Sequence, residues 1–164
     1  YVEQDEKVLN ALEYMFSPEF ESMAREVEAL KEYQAIVAYL EKNVLNVIDS
    51  VKTIGMQAYV PQIKIKGKSQ IGIQKIGDGM IGMIEDLNNL LPTDKIDALF
   101  KEKMQNSKVF ADFIGKLISP EMQKLAGDLL ATQTYQNYIN TAKENGLELV
   151  ELGKLIIRVI GLKV

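Results

Sequence analysis

Apolar residues recur at three- and four-residue spacings along most of this chain, the signature of amphipathic helices with one buried face. From Asp5 to Phe16 the apolar positions are Val8, Leu9, Leu12, Met15 and Phe16. Ser17-Pro18-Glu19 then restarts the pattern. Serine is a good N-cap, proline is tolerated at the first helical position, and an acidic residue suits the positive end of the helix. The next helix runs to about Leu30, with Phe20, Met23, Val27 and Leu30 on one face. A third covers about Glu32 to Lys42 and aligns Tyr33, Ile36, Val37 and Leu40. A fourth covers about Val44 to Ile54, includes Val47, and stops near Gly55.

The pattern changes between Met56 and Gly79. Ile63, Ile65, Ile71 and Ile73 alternate with polar residues, among them Lys64, Lys66, Lys68 and Lys75. A short β-hairpin around Lys66–Ser69 fits this alternation, and a long ordered linker fits it equally. Helical spacing resumes at about Met80 and continues to Leu91, then from Asp94 to Met104 and from Ser107 to Ile118. A second Ser-Pro-Glu, Ser119 to Glu121, opens a helix from Pro120 to Ala131. The last two cover about Tyr135–Glu144 and Leu147–Ile160, with Asn145-Gly146 as the stop between them. The fold class expected is all-α, with about ten amphipathic helices.

Composition narrows the chemistry. The 164 residues suit a single domain over 1–164. Cys, His and Trp are absent. Disulfides, thiolate nucleophiles, zinc-finger sites and Ser-His-Asp or Cys-His catalysis are therefore ruled out. No metal site and no catalytic residue is expected, and the chain reads as a non-enzyme. A formal net charge of −4 makes it a poor partner for nucleic acid. No run of about 18 apolar residues occurs, so no membrane-spanning helix is expected.

The two Ser-Pro-Glu motifs invite comparison of the chain with itself at an offset of 102 residues. Ala24 and Ala29 match Ala126 and Ala131, Tyr33-Gln34 matches Tyr135-Gln136, and Asn43 and Leu45 match Asn145 and Leu147. Apolar positions keep their register between these identities, as in Phe20/Met122, Met23/Leu125, Val27/Leu129 and Val37/Ile139. The chain thus reads as two unequal copies of one unit. A partial first repeat spans 1–55, a Lys/Gly-rich linker spans 56–79, and a fuller second repeat spans 80–164. Tyr33 and Tyr135 fall at equivalent positions, where packing or capping is expected rather than catalysis.

These repeats resemble the insect allergen-related repeat family, which includes the cockroach major allergen, mosquito midgut microvillar proteins and nitrile-specifier proteins. The likeness lies in Ala11-Leu12-Glu13-Tyr14 leading into Ser17-Pro18-Glu19-Phe20, then Val27-Glu28-Ala29-Leu30, Glu32-Tyr33-Gln34-Ala35 and Tyr39-Leu40. In the second unit it lies in Gly79 to Leu91, followed by Pro92-Thr93-Asp94-Lys95-Ile96 and Leu99-Phe100. The mosquito midgut microvillar type is the nearest in pattern.

The resemblance implies two repeats forming a helical shell around an apolar cavity that holds fatty acids or phospholipid. It also implies secretion into the insect gut or attachment to microvilli, with a leader lying outside this chain. No cofactor is implied beyond the bound lipid. Candidate lining residues in the first unit are Leu12, Phe16, Phe20, Met23, Val27, Ile36, Leu40 and Val47. Those in the opening helices of the second are Met80, Met83, Ile84, Leu87, Leu99 and Phe100. Its later helices contribute Phe113, Leu117, Met122, Leu125, Leu129, Ile139, Leu152 and Ile156. Seven methionines and no tryptophan suit a deformable lining. Lys64, Lys66 and Lys68 are candidates for contact with lipid headgroups or a membrane surface, against an ordinary solvated loop. Lipid exchange with membranes, and their lysis, are corollaries. A nitrile-specifier-like detoxification protein and a plain interaction module are the alternatives.

One formal motif competes with this reading. Gly77-Asp78-Gly79-Met80-Ile81-Gly82 has the spacing of a dinucleotide-binding loop. Such a loop needs a βαβ unit and an acidic residue ending a second strand. Helices follow instead, so a glycine-rich helix entry is expected. Glu26, Glu28, Glu32, Glu148 and Glu151 fall on polar faces and suggest no paired-carboxylate chemistry.

Overall fold

The computed structural model describes residues 4–45 and 76–162. Every regular element among them is helical. The first unit contains α1 (Glu6–Met15), α2 (Pro18–Glu28) and α3 (Lys31–Leu40), which runs into a π-helical turn at Glu41–Leu45. The second contains α4 (Gly79–Leu90), α5 (Thr93–Asn106), α6 (Lys108–Leu117), α7 (Pro120–Leu130), α8 (Gln133–Glu144) and α9 (Leu149–Val159). Most of the expected helix over 44–54, and the expected hairpin or linker at 56–75, lie outside the described residues.

The helix ends follow from local chemistry. Ser17 Oγ accepts the Phe20 N–H at 3.2 Å, and Ser119 Oγ accepts the Met122 N–H at 3.1 Å, each with proline at the first helical position. Ser107 caps α6 and Thr132 caps α8 in the same way. At the far end of α2, Gln34 donates to the Glu28 carbonyl at 2.7 Å, and at the far end of α7, Gln136 donates to the Leu130 carbonyl at 2.6 Å. Asn43 donates to Tyr39 O and Asn145 to Thr141 O, at 3.0 and 2.9 Å. The pairs Ser17/Ser119, Gln34/Gln136 and Asn43/Asn145 are related by the same 102-residue offset. Three of the polar identities between the units are therefore residues that satisfy helix termini.

Gly146 ends α8 with φ +77, a conformation that favours glycine. Its N–H bonds to Lys143 O and the Leu147 N–H bonds to Ala142 O, both at 2.9 Å. This closes a Schellman motif, with Leu147 as its fully buried apolar contact.

Packing is reciprocal between the units. Helix α2 lies on α8 and α3 lies on α7. Because α7 and α8 are the counterparts of α2 and α3, each unit's first helix of the pair meets the other unit's second. Helix α4 packs on α1 and α9, α9 also touches α8, and α5 pairs with α6. The core sits where α1, α4 and the end of α8 converge, on Ala11, Tyr14, Met80, Ile84, Ala142 and Leu147. Phe20, Met83, Leu149, Leu152 and Leu155 pack around it.

One buried charge fastens this convergence. Asp5 is 2% exposed. Its Oδ1 accepts from the N–H groups of Lys7 and Val8, at 3.1 and 3.4 Å, and so caps α1. Its Oδ2 accepts from Gly77 and Gly79, at 2.6 and 3.1 Å, at the entry of α4. Gly77 and Gly79 reach it through φ of +99 and +67. The glycine-rich motif is thus a helix entry wrapped on a carboxylate of the same chain.

Burial alone would raise the Asp5 pKa, but the four N–H donors outweigh it and hold the carboxyl below its ordinary value of 3.8. A depressed folded pKa stabilises the fold fully above the ordinary value. That contribution is lost as pH falls through the lower, folded value. Asp5→Asn places an amide N–H against donors, so it should lower Tm at neutral pH. It should also remove part of the wild-type's decline in Tm below about pH 4. Circular dichroism melts from about pH 7 to about pH 2.5 check this, and coincident acid limbs would refute it.

The two capping serines give a second test. Ser17 makes its cap bond alone, whereas Ser119 Oγ also meets the Tyr39 hydroxyl at 2.8 Å. Ser17→Ala should cost about 1 kcal/mol and Ser119→Ala about 2 kcal/mol in urea unfolding. The difference should vanish in a Tyr39→Phe background.

Candidate functional site

Helices with a normal core show large apolar side chains that are either buried or scattered singly on the surface. Here the apolar faces are graded instead. Of the expected lining residues, Val27, Met80, Ile84 and Leu129 are buried. Leu12, Phe20, Met23, Ile36, Leu40, Met83 and Phe100 are half-buried, as are Phe113, Leu117, Met122, Leu125, Ile139 and Leu152. Phe16, Leu87, Leu99 and Ile156 are exposed, Phe16 by 81% and Ile156 by 63%. Val47, Lys64, Lys66 and Lys68 lie outside the described residues.

Partial exposure is thus the commonest state on these faces, including both equivalent stripes, Phe20–Met23 and Met122–Leu125. Phe16 and Ile118 occupy equivalent positions at the ends of α1 and α6, and both face outward.

Aromatic contacts tie the two units together beneath these faces. Tyr14 meets Phe20 edge-on at 5.6 Å, Phe20 meets Tyr138 at 5.2 Å, and Tyr138 lies 6.3 Å from Tyr135. The Tyr14 hydroxyl approaches Met23 Sδ at 3.9 Å. Burial raises all three tyrosine pKa values, with Glu19 adding to the effect at Tyr14 and the neighbouring tyrosines and Glu28 adding to it at Tyr138. These phenols stay neutral at physiological pH and serve as apolar bodies with one polar atom. Tyr39, buried on α3, donates to Lys116 O at 2.9 Å and so fixes α3 to the end of α6.

The C-terminal helix has an unusual orientation. Leu149, Leu152 and Leu155 pack against the core, while Val150, Ile156, Val159 and Ile160 are exposed. Its polar side, with Glu151, Lys154 and Arg158, faces a cleft of about 530 Å³. The opposite wall consists of Asn88 from α4 and Thr93, Ile96 and Asp97 from α5, closed by Gly161 and Leu162. Gly161 (φ +83) lets the chain pass Phe100, since a Cβ there would fall 2.7 Å from that ring. Within the cleft Lys154 pairs with Glu151 at 2.8 Å, and Arg158 donates to the Asn88 side-chain oxygen at 3.2 Å.

None of the cleft residues was expected to line the lipid site, and Asp5 was expected only to begin a helix. Asp5 had a signal, because it aligns with the capping Ser107 at the 102-residue offset. The cleft had none, since its walls come from three separated segments.

The chemistry available on these surfaces is apolar contact and ionic recognition. Among the described residues no group of three carboxylates is placed to hold a metal ion. No helix among them is long and apolar enough to cross a membrane.

Residues 1–152 match the family described as insect allergen related repeat, nitrile-specifier detoxification. Protein G12 of Anopheles gambiae is 20% identical over 148 residues, which cover 90% of this chain and 70% of that protein. With a helical fold, equivalent capping bonds at one fixed offset and a match over nearly its whole length, the chain belongs to the insect allergen-related repeat family.

Proposed function

We propose that this protein is a non-enzymatic lipid carrier, holding fatty acyl chains or phospholipid against the inner apolar faces of its helices. The observation that carries the reading is the partial exposure of large apolar side chains on well-capped helices. Fully burying a Leu- or Phe-sized side chain is worth about 1.5–3 kcal/mol, so a fold that leaves many half-covered retains apolar area for another occupant. An acyl chain supplies the complement, with about 0.8 kcal/mol for each CH₂ removed from water.

The methionines and half-buried phenylalanines on these faces can adapt to chains of differing length and unsaturation. No cofactor and no catalytic residue enters this reading. The outward aliphatic residues of α9, with Phe16 and Ile118, give a surface for collision with bilayers. Lipid exchange there would perturb membranes. The proposed setting is the gut lumen or the microvillar surface.

The family's description also names nitrile-specifier detoxification, and this supports a second reading as a protein that redirects another enzyme's products. Denaturing extraction and mass spectrometry should find stoichiometric acyl chains, and refolding with oleate should restore them. Paired Met23→Asp and Leu125→Asp substitutions should reduce uptake about tenfold or more, because each buries a carboxylate against hydrocarbon. An empty protein that takes up nothing on refolding would sink the carrier reading. A myrosinase–glucosinolate product assay separates the second reading, since a carrier leaves the nitrile fraction unchanged. Dye-loaded liposomes report membrane perturbation, and inert vesicles would count against it.

A further inference from the structure

The α4–α5–α9 cleft differs from the apolar faces in both volume and charge. Its volume of about 530 Å³ lies within the range of small-molecule sites. Of its four charged side chains, Glu151 and Lys154 neutralise each other at 2.8 Å. The other two, Arg158 and Asp97, do not pair with each other. The contact of Arg158 across the cleft is to a neutral amide oxygen, Asn88 Oδ1. Asp97 makes no ion pair among the described residues. One cleft therefore presents an anion-binding guanidinium and a cation-binding carboxylate, held apart on facing helices.

From this arrangement we infer that the cleft binds a zwitterionic phosphate–ammonium group, with the phosphate on Arg158 and the ammonium on Asp97. A guanidinium offers paired N–H donors to phosphate oxygens, and displacing the weaker Asn88 amide contact makes them available. A carboxylate meets the ammonium by charge alone. A singly charged anion leaves Asp97 unmatched and sets two negative charges in one cleft.

Apolar surface continues from the site. Ile96 lines the cleft, and Leu99, one turn along α5, is 53% exposed. An acyl chain attached to the headgroup has a path there, and for this half the inference rests on the carrier reading. The same group could come from a phospholipid or from a free phospho-amine such as phosphocholine.

Calorimetric titration of the full chain tests this with three probes. These are dihexanoyl-phosphatidylcholine below its micelle concentration, dihexanoyl-phosphatidylglycerol with the same chains, and phosphocholine. The wild type should bind the choline lipid at least about fivefold tighter than the glycerol lipid. Arg158→Gln should weaken both lipids about tenfold, and Asp97→Asn should weaken only the choline lipid and so erase the preference. Both side chains reach solvent, and melting curves check that the variants fold. In the wild type, the Arg158 Nε–H resonance should shift on titration with the choline lipid.

Equal wild-type affinity for the two lipids, or affinities unmoved by both substitutions, would overturn the cleft assignment while leaving the carrier reading intact. Phosphocholine bound as tightly as its lipid, with the same dependence on Arg158 and Asp97, would uphold the cleft and count against the carrier. Absence of binding by all three probes would overturn the assignment.

Discussion

The Asp5 carboxylate is the fixed point of this structure. A charge removed from water must be met by polar partners, and this one is met by four backbone N–H groups from two helix entries. Two come from the start of α1. The other two, at Gly77 and Gly79, lie more than 70 residues along the chain. The bond network therefore sets α4 against α1, so closely that a Cβ at Gly79 would fall 3.3 Å from the Lys7 Cβ. That placement lays Met80 and Ile84 over Ala11, and α4 then supports α9. The positive dipole ends of α1 and α4 would repel if unscreened, and the carboxylate between them turns that repulsion into cohesion.

The counterpart of Asp5 in the second unit is Ser107, whose side chain caps α6 and whose N–H closes the end of α5 on Lys103 O. Both residues at this offset cap a helix, and only Asp5 adds a tertiary contact, to Gly77 and Gly79. Ser17 and Ser119 differ in the opposite sense, since it is the later serine that also bonds to Tyr39 across the units. The shared Ser17/Ser119, Gln34/Gln136 and Asn43/Asn145 stop and start helices. The residues that differ between the copies join the units, as Tyr39, Phe20 and Tyr138 do. Such asymmetry lets a reciprocal pair of units fold to one arrangement rather than to several near-equal ones.

The sequence disclosed the helices because periodicity and caps are local. Ser-Pro-Glu, Asn145-Gly146 and the apolar stripes place most ends within a few residues, and the glycine motif at 77–82 is the helix entry expected of it. It did not disclose which apolar residues become core. Val8 and Ala11 are fully buried while Leu9 on the same helix and Phe16 at its C-cap face out. That distinction depends on where α4 lands, which Asp5 decides through a contact invisible to any local pattern. The α4–α5–α9 cleft was hidden for the same reason. The expected enclosing shell concerns how the apolar faces are covered, and the half-buried stripes define the surface in question.

The orientation of α9 bears on that question. An ordinary surface helix turns its apolar side inward and its charges to water. The second half of α9 holds Lys154 and Arg158 against a polar cleft and leaves Ile156, Val159 and Ile160 uncovered. Rotating the helix to bury the aliphatics would withdraw Arg158 from Asn88 and drive charges toward the core side, where Leu149, Leu152 and Leu155 already pack. The first half of the helix thus fixes the rotation of the second. With the rotation fixed, the exposed aliphatics can be relieved only by something that is not water. The core packing of the first half of the helix, at Leu149, Leu152 and Leu155, is therefore what keeps Ile156, Val159 and Ile160 uncovered in the second.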